Sequence, residues 1–128
     1  GEVNMMIAQL STAKPFIDGG QLRALGVASK NRSVAMPDLP TIAEAGPFPG
    51  FEAVSWYALM APAGTPAAAI NILQREAARA IRSPDLKASL EAQGAQPVGS
   101  TPAELSATIA ADTERWRKVI VDAGIQVN

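Results

Sequence analysis

The stretch FEAVSWYALMAPAGTP, Phe51 to Pro66, organises this chain. It passes from mixed apolar and polar residues into the wholly apolar run Ala58 to Ala61, and then into a proline-glycine turn that opens a helix. A short apolar run bounded by turn residues is typical of a strand buried on both faces. Segments before it favour strands and loops, whereas those after it favour helices. We therefore predict a strand that crosses between two structural regions.

The residues before this crossing strand predict a compact strand-helix-strand unit. Glu2 to Ala8 and Leu22 to Ser29 have the apolar content of short strands. Leu10 to Asp18 predicts a helix between them, with Ser11 as the N-cap and two glycines as a stop. Two strands joined through a helix are the building block of parallel sheets. This arrangement favours an α/β fold.

Hydroxyl residues mark the starts of the remaining predicted helices. Thr41 and Glu44 have the spacing of a capping box, in which each side chain accepts a hydrogen bond from the other residue's backbone amide. Three later starts pair a hydroxyl N-cap with proline at the first helical position: Thr65-Pro66, Ser83-Pro84 and Thr101-Pro102. The last helix should run to Gly124, with Trp116 in the core.

Composition excludes several classes of function. The chain has 128 residues, 11 basic and 12 acidic side chains, no histidine and no cysteine. Thiol nucleophiles, imidazole bases and the usual transition-metal ligands are therefore absent. A net charge of -1 gives no electrostatic case for binding nucleic acid. No glycine-rich phosphate motif is present, so we expect no metal, no cofactor and no catalytic residue.

Two stretches carry the candidate binding residues. Ligands of α/β sheets gather beyond the carboxyl ends of strands, where the amides of the next helix favour an anion. Ala8, Gln9 and Ser11 occupy such a position, although Ser11 could serve only as a helix cap. Ser55 and Trp56, followed by Tyr57, could present a hydroxyl and an aromatic surface to a ligand. The alternative is a strand with its tryptophan half in the core.

Several motifs in one order resemble the periplasmic solute receptors of tripartite tricarboxylate transporters. The similarity covers the whole chain. It is carried by GEV at 1–3, PFIDGGQLRALGVA at 15–28, PDLPTIAEAG at 37–46, GFEAVSWYALMAPAGTP at 50–66, GAQPVG at 94–99 and the Thr-Pro-x-Glu start of the last helix.

This resemblance implies part of a type II periplasmic-binding-protein-like fold, an α/β Venus flytrap whose two lobes close on a small carboxylate. It also implies a periplasmic location and delivery of the solute to membrane permease subunits. The chain would correspond to the C-terminal portion only. The signal peptide, most of the first lobe, and the front of the second lobe with its carboxylate-binding loop would lie outside it. Residues 1–55 would belong to the second lobe, and residues 56–128 would cross back and pack on the first.

The resemblance also suggests roles for the candidate residues. Ala8, Gln9 and Ser11 correspond to a ligand-facing segment, and the strand around Ser55, Trp56 and Tyr57 to part of the floor and hinge of the cleft. Many members carry an aromatic residue and then Asp, Ala or Asn in the first segment, whereas this chain has Ile-Ala-Gln, which leaves the solute open.

Two other hypotheses remain alongside the receptor. The chain could be a truncated module that no longer binds solute and forms a homodimer by swapping elements or packing helices. It could also be a cofactorless enzyme that uses Glu52 or Tyr57, although no supporting partner for either can be named.

Overall fold

The computed structural model describes residues 3–126, and five helices lie within them. They are α1 Leu10–Asp18, α2 Ile42–Ala45, α3 Ala67–Ile81, α4 Pro84–Ala92 and α5 Pro102–Asp122. None of these five is both long enough and apolar enough to cross a membrane.

The chain divides into two compact units. The first unit comprises Gly1–Tyr57 and Arg82–Pro97 and contains α1, α2 and α4. The second unit comprises Ala58–Ile81 and Val98–Asn128 and contains α3 and α5. The assignment of residues 1–55 and 56–128 to the two lobes of a receptor stays a prediction.

The three predicted strands do not form among the described residues. Glu2 itself lies outside them, and residues 3–8, Leu22 to Ser29 and Phe51 to Pro62 contain no regular strand. The backbone pairing found there is one isolated parallel bridge, between Val27 and Thr41. A strand exists only through hydrogen bonds to a neighbour, and apolar patterning cannot supply that neighbour.

Three backbone hydrogen bonds show where a sheet would run. The amide of Val27 donates to the carbonyl of Pro40 at 2.9 Å, and the amide of Ile42 donates to the carbonyl of Val27 at 2.9 Å. On the following residue, the carbonyl of Ala28 accepts from the amide of Ala53 at 2.8 Å. Residues 27–28 therefore lie between two other segments, in the position of a central strand reduced to one or two residues.

Thr41 joins this bridge to α2, and its capping box is confirmed. Its side chain accepts from the amide of Glu44 at 3.1 Å, and Glu44 Oε2 accepts from the amide of Thr41 at 2.7 Å. Arg32 Nε donates to the same Oε2 at 3.0 Å, while Arg32 Nη1 donates to the carbonyl of Pro37 at 3.3 Å. The backbone hydrogen bond from Thr41, together with Arg32, lowers the pKa of the Glu44 carboxyl. This cluster fixes the loop that precedes α2.

Three helices end in the same hydrogen-bonded motif. In each, the glycine after the C-cap has a positive φ, its amide bonds back to the third residue before it, and the next amide bonds back five residues. The glycines are Gly20, Gly94 and Gly124. Gly94 also lies against α1, because a Cβ at this position would sit 2.6 Å from Leu10 Cδ2 and 3.0 Å from Leu10 Cβ.

Of the three predicted hydroxyl-proline starts, one is confirmed in full. Thr101 forms a capping box with Glu104, and Pro102 occupies the first turn. Ser83 is the N-cap of α4, but its side chain makes no capping hydrogen bond. The Thr65 prediction is wrong, because α3 begins at Ala67 and the Thr65 hydroxyl instead donates to the carbonyl of Pro62 at 2.8 Å. That bond closes the turn before the helix.

The second unit is packed most closely between α3 and the link to α5. Ala78 is the one hydrophobic residue that is buried among those described. Gly99 lies against it, and Gln74 Nε2 donates to the carbonyl of Ser100 at 3.2 Å. The prediction that Trp116 lies in the core is wrong, since it is 42% exposed with the guanidinium of Arg115 5.2 Å from its ring centroid. An amphipathic helix buries its aromatic residue only where another element covers it.

Candidate ligand-binding site

The N-terminus of α1 is the first part of the candidate site. Gln9 is the N-cap, with φ -66° and ψ 136°, and its carbonyl accepts from the amides of Thr12 and Ala13 at 3.1 and 3.0 Å. The prediction that Ser11 is the N-cap is therefore wrong, because Ser11 is the second residue of the helix. Capping depends on where the chain turns into the helix, and here the turn comes two residues before the hydroxyl.

This helix end keeps several hydrogen-bond donors available. The Gln9 side chain does not cap the helix, and no acidic residue lies in the first turn. The amides of Leu10 and Ser11 have no acceptor within residues 3–126, and neither has the Ser11 hydroxyl. The first amides of a helix carry a partial positive charge and are the groups that bind anions. Ala8 precedes them, and its small methyl side chain leaves room for a ligand to approach from that side.

The second part of the site lies at the end of the segment Gly1–Tyr57 of the first unit. The hydroxyl of Tyr57 donates to Gln9 Oε1 at 2.9 Å, across 48 residues of sequence. Ser55 is exposed, and its hydroxyl makes no hydrogen bond within the described residues. Trp56 is 41% exposed, and the strand of the alternative hypothesis does not form around it. Tyr57, in the crossing segment Phe51 to Pro66, is thus joined to the N-terminus of α1 through Gln9.

The hydrogen bond of Tyr57 to Gln9 is the feature of the site that the sequence did not predict. Tyr57 followed Ser55 and Trp56 in the same motif, but no local pattern indicates that its hydroxyl reaches a side chain near residue 10. A hydrogen bond between residues so far apart in sequence depends on tertiary structure, to which periodicity is blind.

An apolar groove lies next to the site without being part of its polar surface. Its volume is about 280 Å³, and its walls are Met6, Ala8, Thr12, Ala13, Phe16, Gln21 and Leu22. These residues belong to the flank of α1 and to the segments on either side of it, and not to the helix N-terminus alone. We interpret the groove as incompletely filled packing space between α1 and residues 3–8.

The described residues contain no group of three or more acidic side chains that could hold a metal ion. The candidate site itself contains no charged side chain, since its members are Ala8, Gln9, Ser11, Ser55, Trp56 and Tyr57. Its chemistry is therefore that of neutral donors and an aromatic surface. Such a site can bind an anion through amides and hydroxyls. It contains no arginine that could bind a carboxylate through two parallel hydrogen bonds.

Two solved structures are similar in fold to most of this chain. An R. palustris protein described as Rpa4515 with adipate has a TM-score of 0.80 and 36% identity, covering 90% of this chain and 38% of that one. A structure described as a periplasmic transporter has a TM-score of 0.81 and 35% identity, covering 93% of this chain and 39% of the other. The prediction of an α/β fold that is part of a periplasmic binding protein is confirmed at this level.

Sequence relatives lead to the same group of proteins. A protein encoded in the tcbD-tcbE intergenic region of Pseudomonas sp. (strain P51) is 38% identical over 128 residues, which is all of this chain and 38% of that protein. Protein BugT of Bordetella pertussis is 37% identical over 127 residues, with 99% of this chain and 39% of BugT covered. The chain thus spans about two fifths of the length of these relatives.

The family profile described as the tripartite tricarboxylate transporter family receptor matches residues 1–125. This range contains both compact units almost in full, as well as the whole candidate site. The chain therefore belongs to the tripartite tricarboxylate transporter receptor family.

Proposed function

We propose that this chain forms part of the solute site of a receptor for a small organic carboxylate. One observation carries the proposal: the α1 N-terminus offers the amides of Leu10 and Ser11, the Ser11 hydroxyl and the Gln9 side chain, with no acidic residue in the first turn. A carboxylate is one of the anions that the free amides of a helix N-terminus bind. The adipate named with the R. palustris structure supports this class of solute.

The candidate residues would have different roles in this site. Gln9 and Ser11 would donate hydrogen bonds to the carboxylate, and Ala8 would allow its close approach. Ser55 and Trp56 would line the floor of the cleft from the crossing segment, where Trp56 keeps two fifths of its surface exposed. An exposed aromatic ring next to polar donors is a common means of packing against the apolar part of a small ligand.

The proposed role is binding and delivery, and not catalysis. In the complete receptor, the solute would be captured in the periplasm and passed to the membrane permease subunits of the transporter. Closure of two lobes about the crossing segments would be the motion that captures it. The Tyr57 hydroxyl bonds to the neutral Gln9 amide and not to a base, which favours binding over a cofactorless enzyme that uses Tyr57.

A charge placed at the helix end tests the site directly. Ser11→Asp should strengthen α1, because a carboxylate near a helix N-terminus is favourable by about 0.3–1 kcal/mol. The same change should abolish carboxylate binding by repulsion. Ser106→Asp, on the exposed surface of α5, adds the same charge to a helix of the second unit and serves as the control. Ser11→Asp should therefore raise the stability and lower the affinity, and Ser106→Asp should not show this pair of opposite changes.

Isothermal titration of the 128-residue chain with adipate, succinate and citrate would measure this effect. We expect binding of at least one acid by the wild type and by Ser106→Asp, and none by Ser11→Asp. Equal binding by Ser11→Asp would contradict the proposed site. Absence of binding by the wild type to the whole panel would contradict the proposed function.

A second candidate function, self-association as a homodimer, is favoured by residues 3–8. Their backbone groups make no hydrogen bonds within the described residues, and Met5 and Ile7 are 76% and 79% exposed. An uncharged segment with unpaired backbone groups is a template for pairing with another chain. Ile7→Lys should then shift the chain toward monomer in light scattering, whereas Val34→Lys, at a loop residue that is 69% exposed, should not. A monomeric wild type would refute this candidate.

A further inference from the structure

Within the described residues, one hydrogen bond joins the crossing segment to Gln9, and its donor is the Tyr57 hydroxyl. Both side chains are exposed, with Tyr57 at 84%. An exposed hydrogen bond between neutral groups contributes little to stability, since water competes for both partners. Its main effect is therefore on the orientation of the Gln9 amide.

A glutamine amide has two chemically opposite ends. The oxygen accepts hydrogen bonds and repels an anion, whereas the nitrogen carries two donors. Because the Tyr57 hydroxyl holds Oε1, Nε2 is turned away from the tyrosine. Within residues 3–126, Nε2 has no acceptor of its own. The bond from Tyr57 also polarises the amide, which makes its free N–H groups better donors.

We propose that Tyr57 is a positioning residue of the carboxylate site, which acts by orienting the Gln9 amide so that its N–H groups face the anion. This inference rests on the proposed function. Tyr57 does not itself contact the solute in this arrangement. It is the last residue of the first segment of the first unit, directly before the chain passes into the second unit.

A double-mutant cycle in solute affinity separates this role from a structural one. The variants are Tyr57→Phe, which removes only the hydroxyl, Gln9→Ala, which removes the oriented group, and the combination of both. If Tyr57 acts only through Gln9, the double variant should bind adipate as weakly as Gln9→Ala alone. We expect each single change to weaken binding by about 3- to 10-fold, the effect of one neutral hydrogen bond.

Two further variants sharpen the test. Gln9→Glu keeps an acceptor for Tyr57 but replaces the donor end by a negative charge, so it should reduce affinity more than Gln9→Ala does. Thr113→Val removes another exposed hydroxyl hydrogen bond, the 2.7 Å bond from Thr113 to the carbonyl of Ile109 in α5, and should leave affinity unchanged. The urea midpoint of Tyr57→Phe should equal that of the wild type.

The outcomes distinguish this inference from the function beneath it. Binding by the wild type that Tyr57→Phe leaves unchanged refutes the positioning role and leaves the proposed function standing. Losses that multiply in the double variant show that Tyr57 acts independently of Gln9, which also refutes it. A wild type that binds none of adipate, succinate and citrate refutes the proposed function, and this inference with it.

Discussion

Replacing Gly94 by alanine should destabilise the first unit far more than the same change at Gly20. Both glycines follow the C-cap of a helix and have similar left-handed backbones, with φ of 78° and 70°. They differ in surroundings. A Cβ at Gly94 would meet three atoms of Leu10 at 2.6 to 3.0 Å, whereas a Cβ at Gly20 would have no heavy atom within 4 Å.

The magnitudes follow from these two environments. Alanine in a left-handed conformation costs about 1–2 kcal/mol. Alanine has less conformational freedom than glycine in the unfolded chain, and this offsets about 0.4–1 kcal/mol of that cost. At Gly94 the added methyl overfills the contact with Leu10, at a further cost of about 1–3 kcal/mol. Rotation of the leucine does not relieve this, since Leu10 Cβ itself lies 3.0 Å away. We therefore expect a loss of roughly 2–4 kcal/mol for Gly94→Ala and about 1 kcal/mol for Gly20→Ala.

Urea unfolding followed by tryptophan fluorescence would measure both losses. The chain has two tryptophans, of which Trp56 lies in the first unit and Trp116 in the second. A Trp116→Phe background therefore makes fluorescence a reporter of the first unit alone. Adding Leu10→Ala should make Gly94→Ala less destabilising than it is in the wild type, because alanine at residue 10 removes the 2.6 Å contact with Cδ2 and keeps only the one with Cβ. Equal losses at Gly94 and Gly20 would refute the contact between α4's end and α1.

Two other changes test local features of the fold. Thr101→Ala should lower the free energy of unfolding of the second unit by about 1 kcal/mol in urea titrations, because the amide of Glu104 loses its acceptor, while Thr101→Ser should lose only part of this. Glu44 has a lowered pKa in the folded chain, so its contribution to stability is complete above the pKa of a free glutamate and is lost as pH falls through the folded value. Thermal unfolding between pH 6 and pH 3 should therefore show a shallower loss of stability for Glu44→Gln than for the wild type, and parallel curves would contradict this.

The helices were predictable because their signals are local. Thr41 and Thr101 each have glutamate three residues later, and both capping boxes form with the expected partners. The glycines after α1, α4 and α5 stop those helices through hydrogen bonds that span six residues or fewer. Such features depend on chemistry within one or two turns, which a sequence displays directly.

The strands and the site were less predictable because they depend on distant partners. The apolar run Ala58–Ala61 has the composition of a buried strand, yet its hydrogen-bonding neighbours are not present in the described residues. Ser11 has the chemistry of an N-cap, but the chain enters α1 at Gln9. Tyr57 reaches Gln9 across 48 residues, and no local pattern indicates such a pairing. In each case tertiary structure outweighs the preference of the residue itself.

The parallel bridge at Val27 has a consequence for the order in which the first unit opens. The amides of Val27, Ile42 and Ala53 are held by carbonyls 13 to 25 residues away, so they are released only when separate segments come apart. Helix-end amides, in contrast, are released by fraying of a single turn. Deuterium should therefore enter at Val27, Ile42 and Ala53 later than at the ends of α1 and α4, which makes this junction the slowest-exchanging point of the first unit.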